Sequence, residues 1–219
     1  MMKKIIILDF DGTLGDTQTL IINTMQKTIK HLGLPPRSRE QCKKMIGLPL
    51  KQTFTNLISM SDEMGDKCVE VYKKIFEIDN THGVVPLFPH VLDTLKQLHE
   101  KGYTLTIASS RATQSLMEFV QHLNLKPYIS LVISCEDIKN PKPQPDMVNK
   151  TLAITGHATE EAVVVGDARY DIMMGRNAGC TTIGVTYGNG TKEEMEEAGA
   201  DYIIDDFADI ITHLEGMKD

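Results

Sequence analysis

Asp9 and Asp11 close the apolar run Ile5–Leu8, two residues apart, and Gly12 and Thr13 follow them. Side chains alternate along a strand, so both carboxylates can face one crevice. One carboxylate can attack phosphorus and form an aspartyl-phosphate. The second can act as general acid toward the leaving oxygen and then as base toward water. Gly12 lets the backbone come close to a ligand, and the amides after it can form an anion nest. Two carboxylates repel a phosphate dianion. A divalent cation removes that repulsion, and hard oxygen ligands suit Mg²⁺.

The ends of the other apolar runs carry matching chemistry. Ser109, Ser110 and Arg111 follow Thr104–Ala108. Lys142 stands in Pro141-Lys142-Pro143, in the polar loop after Leu131–Ile133. Gly166-Asp167 follows Ala162–Val165, with Asp171 four residues on. Open parallel α/β sheets bind ligands outside the carboxyl ends of their strands. Four strand ends therefore deliver carboxylates, a hydroxyl and a lysine to one crevice. Asp167 is the natural third oxygen ligand, beside Asp9 and the backbone carbonyl of Asp11. Ser109 also suits the N-cap of a helix starting near Ala112, and Ser110 takes its site role if the strand ends one residue later. Arg111 is either a phosphate contact or a surface arginine. Asp171 either supports the site from behind or only charges the first turn of its helix.

Two textures of chain must position these groups. From about residue 83, short β-rich runs alternate with helical stretches. The spacing Val91-Leu92-x-x-Leu95-x-x-Leu98 predicts a helix, followed by Gly102 at a C-cap position and a strand over Tyr103–Ala108. Strands at Ile129–Ile133, Ala162–Val165 and Thr181–Val185 follow helices over Leu116–Leu125, Val148–Ile154 and Asp171–Ala178. This alternation predicts a doubly wound parallel α/β sheet. Residues 16–81 show helical spacing instead: Leu20 to Leu32, a capping box Ser38-x-x-Gln41, Phe54 to Ile58, and Val69 to Ile78. The predicted organisation is a core of residues 1–15 and 82–219, interrupted after the first strand by a helical bundle over residues 16–81. Gly15-Asp16 and Thr81-His82-Gly83 are its expected hinges. The loop Met45–Leu50 is the bundle's expected substrate-facing edge, with Gly47 allowing close approach and Lys43, Lys44 and Lys51 available to an anionic leaving group.

Composition narrows the classes. The chain has 219 residues, a net charge of −7 and 24% charged residues, a balance that disfavours nucleic acid and anionic membranes as partners. No apolar run approaches the length of a signal peptide or a membrane span, so a cytoplasmic chain is expected. Cys42, Cys68, Cys135 and Cys180 are scattered, without a CxxC pair, and read as reduced thiols. The seven histidines show no metal-ligand spacing. Gly188 to Lys192 lacks P-loop spacing, and Thr191-x-x-Glu194 reads as a capping box. Nothing in the sequence indicates the oligomeric state.

The set Asp9-x-Asp11-Gly12-Thr13, Ser109, Lys142-Pro143-x-Pro145 and Gly166-Asp167-x-x-x-Asp171 resembles the haloacid dehalogenase superfamily over essentially the whole chain. The helical segment after the first motif is similar to that superfamily's C1-type cap, and the phosphoglycolate phosphatase-like hydrolases are the most similar branch. The resemblance implies a Mg²⁺-dependent phosphatase acting on a small phosphorylated metabolite. It implies that Asp9 is nucleophile and metal ligand and Asp11 the general acid and base. It implies further that Ser109 bonds the phosphoryl group, that Lys142 binds phosphate and nucleophile, that Asp167 ligates the metal, and that Asp171 is auxiliary. Gly12, Thr13, Ser110, Arg111 and Gly47 are the candidate substrate contacts. The dehalogenases of the superfamily lack a second aspartate, so Asp11 argues against that chemistry. Hexose-phosphate mutases carry a histidine soon after the first motif and an arginine in the cap loop. Residues 18–22 here are Gln-Thr-Leu-Ile-Ile, and the loop carries Leu50. A β-phosphoglucomutase-like isomerase, an inorganic pyrophosphatase and a phospho-accepting signalling domain are the alternatives. Asp11 disfavours the last, because a general base promotes hydrolysis of a stored phosphoryl group.

Overall fold

The computed structural model describes residues 3–81 and 85–217. Six parallel strands make one sheet: β1 (Ile5–Leu8), β2 (Thr104–Ala108), β3 (Ile129–Ile133), β4 (Ala162–Gly166), β5 (Thr181–Val185) and β6 (Tyr202–Ile204). Their order is β3-β2-β1-β4-β5-β6, that of a doubly wound sheet, whose chain reverses direction of travel between β1 and β4. All four residues of β1 are fully buried, as a strand covered on both faces requires. Leu8 is in register with Ile107 on one side and Val165 on the other. The C-terminal ends of β1, β2 and β4 therefore lie abreast, and the chain leaves the sheet there at Asp9, Ser109 and Asp167.

Four helices follow β1 within residues 16–81: α1 (Gln18–His31), α2 (Arg39–Lys43), α3 (Leu50–Leu57) and α4 (Asp62–Asp79). The Ser38–Gln41 capping box opens α2, with both reciprocal hydrogen bonds present. The remaining helices cover the sheet: α5 (Val91–Glu100), α6 (Thr113–His122), α7 (Asp146–Thr155), α8 (Arg169–Asn177), α9 (Lys192–Glu197) and α10 (Ile210–Gly216). A chain of rings runs from Phe54 on α3 through Tyr72 and Phe76 on α4 to Phe119 on α6 and Phe10, with successive centroids 5.3–6.4 Å apart. Each such pair adds about 0.5–1.5 kcal/mol beyond its buried area. Phe10 lies between Asp9 and Asp11, so packing of the α1–α4 segment reaches the first motif itself.

The sequence-based boundaries differ from the observed ones where caps decide. Helix α4 begins seven residues before Val69, because the Ser61 side chain accepts the Met64 N–H and the acidic Asp62 and Glu63 suit a first turn. Tyr103 lies outside β2; its N–H closes the end of α5 on Leu98 O. Thr191 and Glu194 do form the expected capping box, at the start of α9. Strand β6 and helix α10 carry no pattern that the sequence reading picked out. At the expected first hinge, Gly15 bridges to Asp11 and Leu87, and Asp16 N–H bonds Pro86 O. Of the second expected hinge, His82 and Gly83 lie outside the described residues.

Candidate active site

Asp9 begins where β1 ends, its N–H still bonded to Val165 O on β4. Asp167 follows β4, and Asp171 lies in the first turn of α8. One carboxylate oxygen from each of Asp9, Asp167 and Asp171 falls within 4.8 Å of the others. All three residues are buried. Lys142 Nζ lies 2.6 Å from Asp9 Oδ1 and 2.6 Å from Asp171 Oδ1, with its side chain only 1% exposed. Asp171 also accepts Ala168 N–H through Oδ2. It is therefore neither at the surface nor merely a helix-end charge: it orients the lysine and the turn that follows Asp167.

The electrostatics of this cluster follow from its burial. Removal from water raises the Asp9 carboxyl well above its usual range; Lys142 opposes the shift, and Asp171, Asp167 and Asp11 add to it. Burial, then Asp171, push Asp167 up to about 7, against the hydrogen bonds from Asn189. Burial disfavours the Lys142 ammonium, yet Asp171 and Asp9 hold its pKa above the usual lysine value. Three buried carboxylates thus share one ammonium. Buried charges persist when paired or when they coordinate a metal, and this all-oxygen set fits a divalent cation such as Mg²⁺.

Asp11 is held separately. Arg111 grips both its oxygens, with Nε 3.1 Å from Oδ2 and Nη2 on Oδ1, and Thr17 Oγ1 donates to Oδ1 at 2.7 Å. The guanidinium lies over the rings of Phe119 and Phe76, 4.8 and 5.0 Å from their centroids, with Phe10 at 6.0 Å. Burial works against the Arg111 charge, and Asp11 more than compensates. The surface-arginine alternative for Arg111 is thereby overturned. Its planar fork matches a carboxylate, and its flat face stacks on aromatic rings.

The other sequence candidates divide. Ser109 is buried, and its Oγ accepts the Arg111 N–H instead of capping α6; the N-terminal N–H of Thr113 bonds Glu136. Ser110 Oγ donates to Gly47 O at 2.8 Å, tying the loop after α2 to the end of β2. Gly47 has φ +98° and lies against Ala168 and Tyr170. Gly12 also has φ +98°, in direct contact with Asp167 and Asn189. Thr13 Oγ1 reaches Asp167 Oδ1 at 3.3 Å. Lys51 lines the cleft, whereas Lys43 and Lys44 do not.

Asn189 was missed. Its N–H and Nδ2 bond Asp167 Oδ2 at 2.6 and 2.8 Å, and Nδ2 also reaches Asp11 O at 3.2 Å. Asn189 belongs to the loop that leaves β5, so the same strand-end rule, extended by one strand, points to it. Thr17 carries no such signal, because it precedes α1 in a segment that reads as helix.

Asp9, Asp11, Ser109, Ser110, Gly47 and Arg111 all border one cleft of about 670 Å³ between the sheet ends and α1–α4. Among the described residues, no helix is long and apolar enough to cross a membrane.

Comparisons with known proteins place this geometry. Residues 6–185 match the family described as haloacid dehalogenase-like hydrolase. The chain is 31% identical to a Dickeya dadantii protein named Probable phosphatase IndB, over 96% of this chain and 93% of that one. It is also 31% identical to Pyrophosphatase PpaX of Oceanobacillus iheyensis, over 97% of each. A haloacid dehalogenase-like hydrolase structure from Bacteroides fragilis shares the fold, with a TM-score of 0.90 at 24% identity over 95% of this chain and 99% of that one. The chain is thus a phosphatase and belongs to the haloacid dehalogenase-like hydrolases.

Proposed function

We propose that the protein hydrolyses a small phosphate monoester in two steps through an aspartyl-phosphate on Asp9, with Mg²⁺ as cofactor. The observation that carries this reading is the Asp9 carboxylate bordering the open cleft while Lys142, Asp167 and Asp171 close in behind it. In the first step an Asp9 oxygen bonds phosphorus as the bond to the leaving oxygen breaks, and Asp11 gives that oxygen a proton. In the second, Asp11 takes a proton from water as the water oxygen attacks phosphorus; inorganic phosphate leaves and the Asp9 carboxylate is restored. Arg111 and Thr17 keep Asp11 aimed through both steps. Ser109 borders the cleft beside Asp9 and would bind a phosphoryl oxygen, and Lys142 neutralises Asp9. The expected anion nest is not formed: the amides of Gly12, Thr13 and Leu14 donate to Gly15 O and Phe10 O within their own turn, and Gly12 and Thr13 do not line the cleft. Mg²⁺ bound by Asp9, Asp167 and the Asp11 carbonyl would stabilise charge developing on the phosphoryl oxygens. The helices α1–α4, over residues 16–81, would act as a cap that excludes water and selects the leaving group. Small phosphorylated metabolites are the expected substrates. The resemblance points to phosphoglycolate-like esters and relatives named pyrophosphatase to inorganic pyrophosphate, but the acidic rim of the outer cleft weighs against both.

The test is hydrolysis of p-nitrophenyl phosphate by wild type and Asp9→Asn, each with Mg²⁺ and with a chelator. Turnover should fall by about a thousandfold or more in the variant and collapse without metal. Equal metal-free turnover by both proteins would refute the mechanism.

A further inference from the structure

The cleft extends well beyond the phosphoryl site, and its outer walls differ in character from the inner end. Its volume of about 670 Å³ lies in the range of sites that enclose drug-sized ligands, far more than a two-carbon acid needs. Ile21, Met45, Leu48, Leu50 and Val69, all only partly buried, give the cleft an apolar lining away from the strand ends. Among the described residues, no set of cations waits there for a second anionic group. Arg111 is committed to Asp11. Lys51 is held by Asp62 and Asp66, at 2.8 Å each. Lys73 is the other lysine lining the cleft, and its field falls on Glu136 and Cys135. Against these two lysines, and besides Asp9 and Asp11, four carboxylates of described residues border the same cleft: Asp66, the partner of Lys51, and Glu77 from α4, Glu118 from α6, and Glu136.

Resting on the phosphatase reading above, we infer that the natural leaving group is an uncharged, largely apolar alcohol of about ring size, and not an acid or a second phosphate. The phosphoryl group would sit among the strand ends, and the alcohol would lie on the apolar wall formed by α1, α3, α4 and the Gly47 loop. A leaving group with its own negative charge would meet a rim of the same sign.

The experiment compares kcat/KM for 2-phenylethyl phosphate, 2-phosphoglycolate and inorganic pyrophosphate at saturating Mg²⁺, with p-nitrophenyl phosphate and Asp9→Asn as the catalytic control. The uncharged ester should lead both anions by about tenfold or more. In the doubly substituted Glu77→Lys/Glu118→Lys protein, both changes at exposed positions, that lead should shrink through gains for the anions. If 2-phosphoglycolate or pyrophosphate leads in wild type, or if the substitutions leave the ratio unmoved, the leaving-group inference is overturned while the Asp9 mechanism stands. If Asp9→Asn hydrolyses p-nitrophenyl phosphate as wild type does, the mechanism itself is what fails.

Discussion

Gly12 and Gly47 share a positive φ of +98° in different surroundings, so alanine at each separates strain from collision. A side chain at such a φ costs about 1–2 kcal/mol, and the stiffer unfolded chain returns about 0.4–1 kcal/mol of this. At Gly47 the new methyl would rest 3.5 Å from Ala168 Cβ, an ordinary contact. Gly47→Ala should therefore cost about 1 kcal/mol. At Gly12 the methyl would overlap Asp167 Oδ2 and Asn189 Nδ2 and stand 2.6 Å from Asp167 Cγ. Relief requires breaking the Asn189 hydrogen bonds to Asp167, each worth about 1.5–3 kcal/mol because the acceptor is charged. Gly12→Ala should cost about 4 kcal/mol or more, and it should also weaken Mg²⁺ binding by moving Asp167. Urea denaturation gives the first quantity for both variants, and Mg²⁺ titration of each folded protein gives the second. If Gly12→Ala unfolds at the same urea concentration as Gly47→Ala and binds Mg²⁺ like wild type, the assignment of Asp167 to the metal loses its support.

Lys142→Met leaves the Asp9 and Asp171 carboxylates buried without their shared partner, and should cost about 3–5 kcal/mol in urea denaturation; a loss below about 1 kcal/mol contradicts the charge balance described above. Arg111→Met should lower kcat by about 10–100-fold with KM little changed, by releasing Asp11, and Arg111→Lys should not restore it, because a single ammonium cannot match both oxygens. Asp167 has its folded pKa raised to about 7, above the unfolded value near 3.9, so the folded state holds the extra proton between them and metal-free stability should fall as pH rises from about 4 to 7. Mg²⁺ needs the ionised carboxylate, so the gain in Tm on adding it should be larger at pH 8 than at pH 5; equal gains would exclude Asp167 as a ligand.

The parallel sheet was legible because its strands are buried on both faces. Ile5–Leu8 and Ala162–Val165 read as unbroken apolar runs, and the helices between strands repeat every three to four residues. The order of the strands then follows from right-handed crossovers more than from any local residue. The first turns of helix α4 were hidden because they contain Gly65 and only polar contacts to the cap residue Ser61; their helicity comes from the cap and from packing against α3. Strand β6 has three residues, too few for a period to show.

The clustered carboxylates of the candidate site and Lys142 were legible for a different reason: charged residues at several strand ends of a parallel sheet converge on one crevice, so residue type and position together pointed to them. Arg111 failed that logic, because an arginine is at home on a surface and nothing local reveals that three rings close over it. Those rings come from positions 10, 76 and 119, so the cage exists only once the segment over α1–α4 packs against α6. Phe76 contacts the guanidinium, and the guanidinium holds Asp11. A substitution on α4 can therefore alter the aim of Asp11, the proposed general acid, without touching the sheet. Phe76→Leu, which keeps the site apolar but removes the stacked face, should lower kcat more than it raises KM. An effect confined to KM would mean that α4 serves only to bind the leaving group.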